Sequence, residues 1–366
     1  MHGPAEQPSA FAEFGLSGRP GTDAFWAAAR TPLSVPAADG GWVTLFLWRG
    51  SAASLGFESR PEPVPLRRWG DTDCWYAKVP LPRRMRATYQ FLVGDAAYAD
   101  PYNPVGAGGD RSIAATPDAS AQPHWPVVGP DDVLPVPKTR IRWASERLGG
   151  RRTVRVHPVG GGGPVVLLLD GDDWLYLHPA MTAFESAVAH GDMPPVTLVF
   201  VPTRDREAEF ACRSEVWEGI RDELLPLVAD SGVPVEVERL VVAGQSLGGL
   251  SAVYAALAFP ELVSRVACQS GSFWWSPEAV GLADPLGGPV GGALAGCLRQ
   301  LPELSGLRVA FDVGEHETKM LPHCELIEVL TERAGATVRV SRSATGHDRV
   351  GWRHALLRDV AWVLRE

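Results

Sequence analysis

The chain has no Cys-x-x-Cys pair, no long apolar run and no long run of basic residues. Its five cysteines, Cys74, Cys212, Cys268, Cys297 and Cys324, are odd in number and irregularly spaced among 366 residues. That excludes a disulfide framework and a zinc-ribbon pattern, and suits reduced thiols in a reducing compartment. No apolar stretch reaches the roughly 18 residues that a membrane-spanning helix needs, so no membrane partner is expected. Acidic residues outnumber basic ones, 43 to 34, for a net charge of −9. Without a Lys/Arg run or a basic amphipathic helix, that balance argues against a nucleic-acid partner. The first residues, Met1-His2-Gly3-Pro4-Ala5-Glu6, lack the basic and apolar regions of a secretion signal, so a cytoplasmic location is expected. No metal-ligand cluster or internal repeat stands out, and no cofactor is expected. The run Gly160–Gly163 lies between two predicted strands with no helix after it, and reads as a hairpin turn rather than a phosphate loop.

What the chain does have is core-forming capacity, with 45% hydrophobic residues and a length sufficient for two domains. Over residues 1–135, short β-rich runs (Trp42 to Arg49, Trp75 to Leu81, Thr88 to Val93) alternate with Pro, Gly and Asp turns, which predicts a small all-β sandwich. The segment Gln122 to Pro137 carries five prolines and reads as a stiff linker. Over residues 136–366, β-rich runs alternate with helical segments, which predicts an α/β fold with a mostly parallel sheet. The runs are Arg152 to Val156, Val165 to Asp170, Thr197 to Pro202, Arg239 to Ala243, Arg265 to Gln269, Arg308 to Val313 and Thr337 to Arg342.

The most informative of these runs leads into Gly244-Gln245-Ser246-Leu247-Gly248 and then an Ala/Leu-rich helix. A strand, a Gly-x-Ser-x-Gly turn and a helix in that order form the nucleophile elbow of an α/β-hydrolase. The sharp turn crowds the residues two before and two after the serine, where Gly244 and Gly248 stand. A serine hydroxyl needs a base, and the base an orienting carboxylate, in the chain order Ser, acid, His. Four histidines follow Ser246: His316, His323, His347 and His354. Only His347 sits in a glycine-hinged loop between the last strand and the last helix, where this fold delivers its base. The acid belongs after the strand ending at Val313, where Asp312, Glu315 and Glu317 compete. The residue pattern does not choose among them, and Glu317 is also explained as a charge at a helix start. The oxyanion hole calls for the backbone N–H groups of Leu247 and of a residue in the loop Gly171-Asp172-Asp173-Trp174, here assigned to Asp172.

Several segments together resemble the ferric enterobactin (enterochelin) esterase family. They are Leu168-Leu169-Asp170-Gly171 followed by Trp174, Arg206-x-x-Glu209-Phe210, Gly244-Gln245-Ser246-Leu247-Gly248-Gly249, and Gly346-His347-Asp348 before a tryptophan-bearing helix. Phe25-Trp26, Asp71-Thr72-Asp73-Cys74-Trp75, Tyr89-Gln90-Phe91 and Asp100-Pro101-Tyr102-Asn103-Pro104 resemble that family's immunoglobulin-like N-terminal domain. The resemblance implies hydrolysis of the ester bonds of a ferric tri-catecholate siderophore lactone inside the cell. It also implies Glu317 as the acid, with Arg206 and Glu209 in the substrate-binding segment. Arg213 stands where asparagine is expected.

A ferric tris-catecholate is a trianion with aromatic faces, so its site should offer cations and rings. Arg206, Arg213, Trp174, Trp274 and Trp352 are the expected substrate contacts, with Glu209 one turn from Arg206 to fix its guanidinium. Arg204, Lys319, Arg349, Arg353 and Trp275 complete the expected set, and the β domain is expected to assist substrate binding. A general carboxylesterase or acyltransferase of the esterase D-like group, and a non-catalytic glycan-binding protein, are the rival readings. Residue pattern gives no oligomeric state.

Overall fold

Apolar residues alternate along Cys74–Leu81, and those turned inward meet a second sheet rather than a helix layer. This is seen in a computed structural model of the chain, which describes residues 11–129, 132–300 and 303–365. Two compact units emerge. The first runs to Ala121 and also takes in Val127–Asp132 and Ala344–Val350; the second holds Gln122–Pro126, Val133–Ser343 and the chain from Gly351.

The first unit contains β1 (Leu33–Pro36), β2 (Trp42–Arg49), β3 (Ser54–Phe57), β4 (Val64–Pro65), β5 (Arg67–Arg68), β6 (Cys74–Leu81), β7 (Arg86–Val93), β8 (Ala96–Tyr98), β9 (Gly106–Gly108) and β10 (Arg111–Ala115). One antiparallel sheet has the order β1-β2-β6-β5; the other has β4-β3-β7-β10-β9, with β8 also on β7. Phe46, Ala77 and Val79 from the first sheet and Leu55, Tyr89 and Phe91 from the second share one core, which makes the expected sandwich. A short helix, Asp23–Ala28, was not expected; Thr22 caps it, and Phe25 and Trp26 bury against Leu45 and Leu47. The Asp100–Asn103 segment is a pinned corner. Asp100 accepts from the Tyr89 hydroxyl (2.7 Å) and Thr31 Oγ1 (2.8 Å), while Asn103 Nδ2 donates to Tyr89 Oη (3.0 Å).

The second unit is built on β11 (Thr139–Ala144), β12 (Arg151–Val159), β13 (Val165–Leu168), β14 (Val196–Phe200), β15 (Val241–Gln245), β16 (Arg265–Gln269), β17 (Arg308–Gly314) and β18 (Thr337–Ser343). They form one sheet in the order β11-β12-β14-β13-β15-β16-β17-β18. From β14 to β18 every pairing is parallel, and β11 and β12 add an antiparallel edge. The parallel strands are apolar on both faces because each face is covered. Leu167, Val242, Val266 and Val309 pack with the helices Leu247–Ala258 and Leu321–Arg333, while Leu168, Val241, Ala267 and Ala310 pack with Ala180–Ala189 and the last helix from Trp352 on.

Three expectations are corrected. Gly160–Gly163 is not a hairpin turn, since β14 lies between β12 and β13; it is a crossover, tight because a Cβ on Gly163 would stand 2.2 Å from the Pro195 carbonyl oxygen. Strand β11 was missed, although Thr-Arg-Ile-Arg-Trp alternates as an edge strand should. The proline-rich segment is no free spacer: Trp125 is buried in the second unit, its Nε1 donating to the Arg353 carbonyl. A single boundary near residue 135 therefore gives way to two units that each draw on distant parts of the chain.

Candidate active site

Because β13 to β17 run parallel, the loops after them gather at one sheet edge, where open α/β sheets bind ligands. Ser246 follows β15 with φ 55° and ψ −120°, a left-handed conformation that a side chain seldom adopts. Tertiary hydrogen bonds hold it there: Ser246 N donates to the Gln269 carbonyl (3.0 Å), and Ser272 N to the Ser246 carbonyl (2.9 Å). The glycines divide the steric work unevenly. A Cβ on Gly244 would lie 2.2 Å from the Gly248 carbonyl oxygen, whereas one on Gly248 would meet nothing nearer than 3.5 Å. Ser246 Oγ lies 3.2 Å from Ser272 Oγ, a neighbour that sequence reasoning missed.

Beneath the elbow runs a buried polar chain. Trp174 Nε1 donates to Gln245 Oε1 (2.9 Å), Gln245 Nε2 to Gln269 Oε1 (2.7 Å), and Gln269 Nε2 to Asp359 Oδ2 (3.0 Å). Burial pushes the Asp359 carboxyl up to about 6. Gln245 fills a variable position of the elbow motif, so nothing in the motif pointed to it.

The two expected oxyanion donors, Leu247 and Asp172, follow the paired strands β15 and β13. Leu247 is the first residue of its helix, so no carbonyl one turn earlier receives its N–H. Asp170, with φ 52°, turns the neighbouring chain, and the Asp170 carboxylate stands 3.5 Å from where a Cβ on Gly248 would be. Asp172 opens the short helical turn Asp173–Leu177 directly after it. Arg206 ties the two pieces together: its Nε and Nη2 donate to both Asp170 oxygens (2.9–3.0 Å), and Nη2 also to the Gln245 carbonyl (2.9 Å).

The three candidate acids differ sharply. Glu315 is exposed. Asp312 is buried and already accepts from Ser341, Ser343 and Arg358 (2.9–3.0 Å). Glu317 is buried with Oε1 held by Ser270 Oγ (2.5 Å) and Gly314 N (2.8 Å). Ser270, itself at φ 48°, accepts in turn from Trp352 Nε1 (2.8 Å). Glu317 does not begin a helix as expected: the helix starts at Leu321, and Glu317 sits in the turn before it.

A family model described as "Putative esterase" matches residues 145–363. The iron(III) enterobactin esterase of Dickeya dadantii is 29% identical over 99% of this chain and 97% of its own, and that of Escherichia coli O6:H1 is 30% identical over 81% and 80%. The enterobactin esterase of Shigella flexneri, solved in the presence of enterobactin, superposes with a TM-score of 0.81 at 25% identity, over 94% of this chain and 98% of that one. The chain belongs to the enterobactin esterase family. It is an ester hydrolase.

In this esterase several expected substrate contacts turn out to be structural. Trp174 (2% exposed) and Trp352 (4%) are buried and hydrogen-bonded below the site, so they brace it and offer no ring face. Glu209 does not fix Arg206; it pairs with the buried Arg152 (2.7 Å), and Asp170 takes its place. Arg353 is buried over the Trp125 ring, and Lys319 pairs with Asp284. Arg213 is exposed beside Glu215, and Trp274 is half-buried, so both have accessible surface.

His347 belongs to the first unit, in a loop with close partners there. Asp348 is fully buried and accepts from Thr88 N (2.6 Å), Thr88 Oγ1 (2.8 Å) and Val350 N (2.9 Å). Arg349 Nη1 donates to Glu58 Oε1 (2.7 Å). The last helix runs from Arg349 to Val363.

Proposed function

We propose that this esterase hydrolyses the ester bonds of a ferric tri-catecholate siderophore lactone in the cytoplasm, freeing the iron. The observation that carries this reading is the full-length match to an iron(III) enterobactin esterase, which spans both units and not the hydrolase unit alone. Ser246 attacks the ester carbonyl carbon while His347 takes its proton and Glu317 orients the base. The N–H groups of Leu247 and Asp172 receive the charge that develops on the carbonyl oxygen. His347 returns the proton to the leaving alkoxide, and water then releases the acyl group from Ser246 by the same steps reversed. Arg206, Arg213 and Trp274 supply charge and surface to the anionic substrate, and the β unit assists in binding it. Among the described residues no helix is long and apolar enough to cross a membrane.

The test is to incubate the protein with ferric and iron-free enterobactin and to follow linear trimer, dimer and monomer by chromatography. Progressive cleavage is expected, with Ser246→Ala and His347→Ala each losing at least about 10³-fold in kcat. Turnover of small aryl esters with none of the trilactone would leave a general carboxylesterase.

A further inference from the structure

The loop that carries His347 belongs to the β unit, and the attachment is made by a few specific groups. Strand β7 pairs with β10 along one side; on the other its pairing with β3 stops at Phe57 opposite Tyr89. Glu58 N still donates to the Thr88 carbonyl (3.1 Å), so the Thr88 N–H faces the same side, beyond the last paired strand residue. Thr88 is 2% exposed, and a buried N–H without an acceptor would destabilise the sheet. The acceptor is Asp348, whose carboxylate takes both the N–H and the hydroxyl of Thr88 across 260 residues of sequence. Its Oδ1 also accepts from Val350 N, so the same group caps the last helix.

The other side of His347 is equally constrained. Thr345 Oγ1 donates to the Arg86 carbonyl (3.3 Å), also on β7, and Gly346 lies so close to Ser59 that a Cβ would be 2.6 Å from the Ser59 Cβ. The imidazole therefore projects from a backbone fixed at both neighbours. We propose that Asp348, held by Thr88, is a positioning residue that fixes the His347 loop for proton transfer, making β7 part of the catalytic apparatus. This rests on the reading of His347 as the base. A displacement of about 1 Å in a reacting group can cost on the order of 10²-fold in rate, so a loosened anchor should be felt in kcat.

The experiment measures kcat and KM of the full chain on p-nitrophenyl acetate for Thr88→Val, Thr88→Ser, Asp348→Asn and His347→Ala, each held well below its own melting temperature. Thr88→Val keeps the shape and the strand N–H but loses the hydroxyl; kcat should fall about 10-fold with KM within about twofold. Thr88→Ser restores a donor and should return kcat to within about twofold of wild type. Asp348→Asn should cost about 100-fold. Folded Thr88→Val and Asp348→Asn proteins with kcat within twofold of wild type would overturn the proposal. Near-normal turnover by His347→Ala would instead remove His347 as the base, a separate failure. Amide exchange in the wild-type chain gives a readout independent of any variant. Thr88 and Val350 N–H should exchange slowly and together, and exchange of Thr88 at exposed-loop rates would sink the anchor.

Discussion

At the scale of single residues, the carboxylates show how environment sorts chemically equal groups. Glu317 is buried and braced through one oxygen, Asp312 is saturated by two serines and an arginine, and Glu315 faces water. Glu317→Gln should therefore lower kcat by at least about 10²-fold with little change in melting temperature. Asp312→Asn should lower the melting temperature first, because it weakens the ion pair that the buried carboxylate makes with the half-buried Arg358, and Glu315→Gln should do neither. Steady-state kinetics beside thermal melts separates the three; Glu315→Gln as the most damaging to kcat would reassign the acid. Arg206 carries a similar argument. Since its guanidinium joins Asp170 to the elbow carbonyl, Arg206→Met should cut kcat on a neutral aryl ester about 10-fold, besides raising KM for the ferric complex. Unchanged turnover of the neutral ester would restrict Arg206 to charge recognition. The Asp170 partner was illegible in the sequence because it lies 36 residues away, while Glu209 offered a nearer match at helical spacing.

At the scale of elements, the elbow was legible because strand, turn and helix are contiguous and the steric demand on Gly244 is local. The structure refines it with an asymmetry that a motif cannot express. Gly244→Ala forces a Cβ onto a backbone oxygen and should cost about 1–3 kcal/mol or more. Gly248→Ala has ordinary van der Waals room near a helix start and should leave the melting temperature unchanged or slightly raised. Parallel thermal melts of the two variants check this, and equal losses would contradict it. The start of the helix at Leu321 was harder to read. Glu317 looked like an N-terminal helix charge, but its Oε1 accepts from Ser270 and Gly314, and the helix waits for the turn that follows. The parallel strands were read to within two residues at each end, since continuous apolar runs bounded by turns leave few choices. Edge strand β11 was lost beside the prolines that precede it.

At the scale of the whole molecule, three buried aspartates set the response to acid. Burial pushes Asp100, Asp348 and Asp359 each from 3.8 up to about 6. Between about pH 4 and 6 the native chain then binds more protons than the unfolded one, so stability falls as pH rises through that window. Asp118, held low by Arg84 N, Thr116, Arg83 and Trp42, works in the opposite sense and only below about pH 4. The melting temperature should accordingly be higher at pH 5 than at pH 7 in buffers of equal ionic strength. A lower value at pH 5, by calorimetry, would mean that these carboxyls are ionised in the fold.

The Thr88–Asp348 pairing also has a consequence for biosynthesis. The β unit leaves the ribosome first, yet the acceptor for its Thr88 N–H is made 260 residues later. At about 5–20 residues per second, the sandwich spends roughly 13–52 s with that strand edge unfinished. Its final closure coincides with the arrival of the His347 loop, so the nascent chain completes its first unit and gains its proposed base in the same event.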